Sequence, residues 1–359
     1  MSNQSNVGRE GQEGVRPGRG ATTGVHVGAS SSNAETAVRV RDPWAPRGQG
    51  NGRGPRAIAS SAGAATASYY GLPVLNEPVW SARDIAGYLF LGGLAGASAA
   101  VGAGAHVTGR RALARGAKLG AAGAVGLSLA ALVHDLGRPT RFLNMLRVLK
   151  VTSPMNIGSW LLAGFAPAAM ASAASEVTGL APTGGAIATA AAAVLGPGVS
   201  AYTAALIANT AVPSWHGGHR TMPYVFVASG ASAAAGWGLL TAPPTECEPV
   251  RRLALVAGPA EIALTKLMER EMGMAAEPYH QGRAGIYMKL AVGLTALGSL
   301  TSSLARRDRR AGIAAGAALL LGSAFERFGV FRAGVQSARD PVYTIAPQRA
   351  RRAEVTARG

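Results

Sequence analysis

Long apolar runs separated by short charged connections dominate this chain from about residue 84 onward. A bilayer core about 30 Å thick needs roughly 20 mainly apolar residues at about 1.5 Å of rise each. Eight stretches meet that length: Asp84–His106, Leu119–His134, Ser153–Ala174, Gly184–Asn209, Pro223–Thr241, Leu253–Met272, Ala284–Leu304 and Ala311–Phe331. Leu119–Val133 and Thr183–Val212 contain no Asp, Glu, Lys or Arg, whereas a water-facing helix of such length needs a polar face. Alternating polarity is missing, which argues against a β-barrel. The pattern predicts an all-α integral membrane protein of about eight transmembrane helices, spanning residues 67–332. Ala, Gly and Ser fill much of these runs, so the mean hydropathy is only +0.18. Such small residues suit close helix packing in lipid.

The flanks differ. Residues 1–66 mix Gly, Ser, Asn, Arg and Pro without periodicity and read as a disordered basic tail. No apolar segment follows the early positive charges as a cleavable signal would require. Residues 333–359 read as a second polar, basic tail. The formal charge of +17 comes largely from Arg and Lys in the tails and short connections, which suits anionic headgroups and topology control. Nucleic-acid binding would need basic residues interleaved with aromatics on one face, and no such patch exists. Arg110, Arg111, Arg115, Lys118, Arg251, Arg252, Arg306, Arg307, Arg309 and Arg310 lie at the ends facing away from the termini, which leans those turns toward the cytoplasm. Arg138, Arg141, Arg147 and Lys150 pull the other way.

Cys247 is the only cysteine, so the chain holds no iron–sulfur cluster by itself and no internal disulfide. His106 and His134 fall at opposite ends of successive helices, so they cannot pair as axial ligands. No haem and no metal site are expected.

Candidate chemistry gathers at the lipid–water boundary. His134 stands beside Asp135, and a carboxylate next to an imidazole keeps it switchable near neutrality, as a proton relay requires. Arg138 and Arg141 follow, able to hold Asp135 or to dock an acidic partner. Asp84 and Tyr88, four apart, share a helix face. Tyr202 and Asn209 lie two turns apart on the fourth helix. Trp160 and Trp215 read as interfacial anchors. Glu261, Lys266, Lys289 and Glu326 fall inside later helices, where unpaired charge is costly. They outline a proton path through Glu261, Lys289 and Glu326, or form structural ion pairs, with Lys266 able to snorkel.

Longer motifs resemble a known family. Leu132-Val133-His134-Asp135-Leu136-Gly137-Arg138-Pro139-Thr140-Arg141-Phe142-Leu143-Asn144-Met145-Leu146-Arg147, then Thr152-Ser153-Pro154-Met155-Asn156-Ile157-Gly158-Ser159-Trp160, are similar to the signature of NrfD-type proteins, the polysulfide-reductase membrane subunits. Tyr70-Gly71-Leu72-Pro73, Gly92-Gly93-Leu94-Ala95-Gly96, Asn209-Thr210-Ala211-Val212-Pro213-Ser214-Trp215, Phe325-Glu326-Arg327-Phe328, Ser337-Ala338-Arg339-Asp340-Pro341 and Pro347-Gln348-Arg349 extend the likeness from about Tyr69 to Arg349.

The resemblance implies an eight-helix, NrfD-like bundle in the cell (plasma) membrane that reacts with a quinone or quinol, menaquinone being the expected one. It also implies two partners: a ferredoxin-like iron–sulfur subunit on the outer face and a molybdopterin catalytic subunit beyond it. Asp84, Tyr88, Tyr202 and Asn209 become candidate quinone contacts, and His134, Asp135 and Arg138 candidate proton-handling groups. Members commonly carry His or Asn on the turn where this chain has Asp84 and Tyr88. Two other classes stay open: a passive anchor without quinone chemistry, and a small-molecule or proton transporter. Transport would favour broken helices, for which Pro167 and Pro197 are candidates, and inverted repeats, of which none is found.

Overall fold

The computed structural model describes residues 74–78, 80–136 and 144–358. Among them are eight long helices: α1 (Ala82–Val107), α2 (Arg111–Leu136), α3 (Pro154–Thr178), α4 (Pro182–Ala208), α5 (Met222–Thr241), α6 (Glu248–Met272), α7 (Gly282–Ser302) and α8 (Arg309–Arg339). A short turn, Pro213–His216, precedes α5, and a 3-10 segment, Gly273–Tyr279, joins α6 to α7. Residues 333–339, read from sequence as the start of a tail, complete α8, and a further helix, α9 (Val342–Arg358), follows. The expected tail at residues 1–66 and the candidate Arg138, with Arg141, lie outside the described residues.

The eight helices form two four-membered rings. α1 packs on α2 and α4, which both reach α3; α5 packs on α6 and α8, which both reach α7. The rings meet where α1 and α4 lie against α5. Glycine permits the closest of these approaches. A Cβ on Gly96 of α1 would run into the Gly196 carbonyl of α4, so the backbones touch there. This is small-residue packing of the kind lipid-embedded helices use.

The polarity runs opposite to that of a water-soluble fold. Leu127, Ile187, Val194, Leu297 and Leu300 point outward, while Ser98, Ser128, Ser200, Thr203, Ser229 and Ser232 are buried. Several of those hydroxyls bond backbone carbonyls across helices, as Ser200 does to Gly93 at 3.2 Å and Ser128 to Tyr88 at 3.3 Å. α3 and α4 run unbroken through Pro167 and Pro197, so the helices expected to be broken in a transporter are continuous.

Seven of the eight helices are long and apolar enough to cross a membrane; α6 is not among them. α6 covers the sixth expected span, Leu253–Met272, and falls short in composition alone. α6 is long enough at 25 residues, but it carries Glu248, Arg251, Arg252, Glu261, Lys266, Glu269, Arg270 and Glu271. Several of its charges are paired within the helix. Glu248 binds Arg251 and Arg252 at 2.7 Å, Lys266 binds Glu269 at 2.8 Å, and Glu261 is turned into the ring. The chain nevertheless closes on itself: Arg339 at the end of α8 pairs with Glu77 ahead of α1. An even number of passes along the bundle brings those ends together, so α6 traverses it.

Some of the cations expected in free turns are tied down. Lys118 is buried, its Nζ 2.7 Å from Glu176 Oε2 and 3.3 Å from His106 Nδ1. Arg309 donates from Nη1 to the carbonyls of Leu239 at 2.6 Å and Ala242 at 2.8 Å, filling acceptors that the end of α5 leaves open.

Candidate functional site

The site grows from the first turn of α1. Ser81 caps the helix, its Oγ accepting the Asp84 backbone N–H at 3.4 Å, and an acidic residue there is favoured by the helix dipole. Ser81-Ala82-Arg83-Asp84 is the capping pattern that marks such a start. α2 ends beside it. Asp84 Oδ2 lies 3.2 Å from His134 Nδ1, and Asp135 Oδ1 accepts the Ser81 backbone N–H at 3.3 Å. The imidazole is 78 % exposed and the Asp84 side chain 19 %, so the pair connects bulk solvent with the rim of the bundle.

This rearranges the relay expected from sequence. His134 and Asp135 are neighbours on one helix and so point about 100° apart at 3.6 residues per turn. The carboxylate that meets the imidazole is Asp84, and Asp135 staples the α1 start instead.

One turn deeper, Tyr88 of α1 is fully buried and donates its hydroxyl to the Tyr202 hydroxyl of α4 at 2.9 Å. Tyr202 is 8 % exposed. Because its oxygen accepts the Tyr88 proton, its own proton is free to be donated elsewhere. Gly158 of α3 makes room for the Tyr202 ring, since a Cβ there would overlap it. Asp84, Tyr88, Tyr202 and His134 thus stack from rim to interior at one end of the first ring.

The remaining candidates fall elsewhere. Asn209 is the C-cap of α4 and exposed, with no described contact to the tyrosines. Glu261 and Glu326 are buried together in the second ring, next to Arg327, which the sequence reading did not single out. Lys289 is separated from them on the outer face of α7, where it lines a cleft of about 290 Å³ with Lys266, Glu269, Tyr279 and His280. Trp160 is partly exposed, but Trp215 is wholly buried, stacked on Trp80 at 5.8 Å and donating to the Val330 carbonyl at 2.9 Å. Trp215 is therefore a core residue and not an interfacial anchor.

The cluster combines a buried phenolic donor with a carboxylate–imidazole pair at the rim. Fold and site together define a multi-pass, all-α membrane protein with a tyrosine and acid–imidazole cluster at one end of a four-helix ring. The family model described as "Polysulphide reductase, NrfD" matches residues 72–243, from just before α1 to just past α5, consistent with an NrfD-type protein. That stretch contains the whole tyrosine and acid–imidazole cluster. Comparison with curated proteins gave no match.

Proposed function

We propose that this chain is the quinone-reactive subunit of a multi-subunit oxidoreductase in the cell membrane. It passes electrons between the quinol pool, menaquinol in the first instance, and a ferredoxin-like iron–sulfur subunit that serves a molybdopterin enzyme. The observation that carries this reading is the buried Tyr88–Tyr202 pair one turn below the solvent-facing Asp84–His134 contact. A quinol supplies two electrons and two protons. Tyr202 is placed to donate a hydrogen bond to a ligand oxygen while Tyr88 fixes its orientation. Asp84 and His134 are placed to exchange a proton with water, as acid–base chemistry at a redox ligand requires. Asp135 holds the start of α1 against α2 and so keeps Asp84 within reach of His134. The partner subunits follow from the family likeness, and the iron–sulfur protein would dock at the same end.

Binding of a quinol analogue to the purified full-length protein, followed by fluorescence quenching, tests the reading. Tyr202→Phe should weaken binding about tenfold or more, the loss of one buried hydrogen bond of about 1.4 kcal/mol or stronger. His134→Ala should bind nearly normally yet shift the pH dependence of quinol oxidation. A folded wild type that binds no analogue, even with its iron–sulfur partner added, would leave a passive anchor.

A further inference from the structure

The second ring holds two buried carboxylates and one guanidinium. Glu261 of α6 is 3 % exposed, Glu326 of α8 is 2 %, and Arg327 of α8 is fully enclosed. Arg327 donates from Nη1 to Glu326 Oε2 and from Nη2 to the Phe226 carbonyl at 2.8 Å, with its carbon 3.7 Å above the Phe226 ring, and its Nε has no partner among the described residues. Arg327 pairs directly with Glu326, and Glu261 has no salt-bridge partner among the described residues, so two carboxylates share the charge of one guanidinium.

Four oxygens in this region have no hydrogen-bond partner among the described residues: Glu261 Oε2, Glu326 Oε1, Thr295 Oγ1 and Ser232 Oγ. The side chains of the first three line one cavity of about 10 Å³ between α6, α7 and α8, together with Thr265, Met288 and Ala291. That is room for a single water-sized occupant. The other groups facing the carboxylates are neutral. Ser229 and Ser232 of α5 lie beside Glu261, and Tyr279 of the 3-10 segment faces Glu326. Lys289, the nearest candidate cation on α7, is exposed on the outer face.

A surplus negative charge sealed among apolar helices is costly unless something neutralises it. We infer that Glu261, Glu326 and Thr295 form an exchangeable site for one monovalent cation, a proton or a sodium ion, held by carboxylate and hydroxyl oxygens with Arg327 as a fixed counter-charge. The cleft lined by Lys266, Glu269, His280 and Lys289 shares the walls Met288 and Val292 with the cavity. The site stands apart from the Tyr88–Tyr202 cluster and does not depend on quinone binding.

The test is the melting temperature of the purified full-length protein as pH and sodium are varied, with choline chloride holding ionic strength constant, for wild type and Glu261→Gln. If sodium occupies the site, the wild-type Tm rises with added sodium at fixed pH, and calorimetric titration with NaCl gives one ion per chain. If a proton occupies it, the folded state binds one proton more than the unfolded state, so the Tm falls as pH rises, whatever the sodium level. Glu261→Gln, neutral and of similar volume, loses either dependence. Glu326→Gln removes the same surplus charge and serves if the first variant does not fold. Wild type and neutralised variant tracking each other across the whole pH and sodium range would overturn the inference.

Discussion

Tyr202 is held between Tyr88 and the bare backbone of Gly158, and that crowding makes Gly158 a sharper probe than the tyrosines themselves. Gly158→Ala drives a methyl into the Tyr202 ring; overpacking of this kind costs about 1–3 kcal/mol. Its Tm should fall and its affinity for a quinol analogue should drop with it. Gly123 of α2 has nothing within 4 Å of the position a Cβ would take. Gly123→Ala should therefore leave affinity unchanged and hold or raise the Tm, by up to about 1 kcal/mol from helix propensity. Equal loss in both variants would mean that the ring is not packed on Gly158. At this scale the sequence was readable in residue types and hard to read in pairings. Asp84, Tyr88, Tyr202 and His134 stood out as polar groups at one boundary. That His134 meets Asp84 and not its neighbour Asp135 depends on how α1 and α2 cross, which no spacing within α2 contains.

α6 shows how an element can have membrane length without membrane composition. Its first turn carries the Arg251 and Arg252 hydrogen bonds that hold the Glu248 carboxylate down to about 2. The folded state therefore keeps Glu248 ionised where an unfolded chain, with an ordinary value of 4.5, begins to protonate it. That contribution to stability is complete above the unfolded value and fades as the pH falls toward about 2. Wild type should lose more stability than Glu248→Gln on acidification through that window, measured by urea unfolding; parallel losses would show that the ion pairs contribute nothing at the surface.

Hydropathy located every one of the eight long helices, because an apolar run of that length has few other ways to satisfy its backbone in lipid, though it missed the polar first two turns of α2 and the last two of α8. α6 is the one whose composition departs from the pattern, its charges lying at its ends, in local pairs, or against α8. Hydropathy also passed over Lys118 and Arg327. A run of apolar neighbours does not reveal which single charged side chain turns inward to a partner such as Glu176 or Phe226.

The pairing of Arg339 with Glu77 sets the parity of the whole molecule. Eight passes place residues before α1 and after α6 on one face, and the α5–α6 connection on the other. Burial pushes the Cys247 thiol up and hides it, so the wild type is a quiet background for introduced cysteines. A membrane-impermeant maleimide should label Asn76→Cys and His280→Cys from the same side and Thr245→Cys only from the opposite one, all three being exposed positions. Labelling of Thr245→Cys and His280→Cys from one side would mean that α6 does not cross.

The same architecture has a consequence for biogenesis. α8 leaves the ribosome after the seven helices before it, and it brings Glu326 and Arg327 side by side, a nearly neutral pair for the insertion machinery to pass into lipid. Phe226 of α5 and Glu261 of α6 enter earlier and wait for it. Until α8 docks, the second half of the bundle presents a carboxylate and an open groove to the bilayer, an exposure that is costly in lipid, so the last helix to be made is the one that completes the burial of charge in those before it.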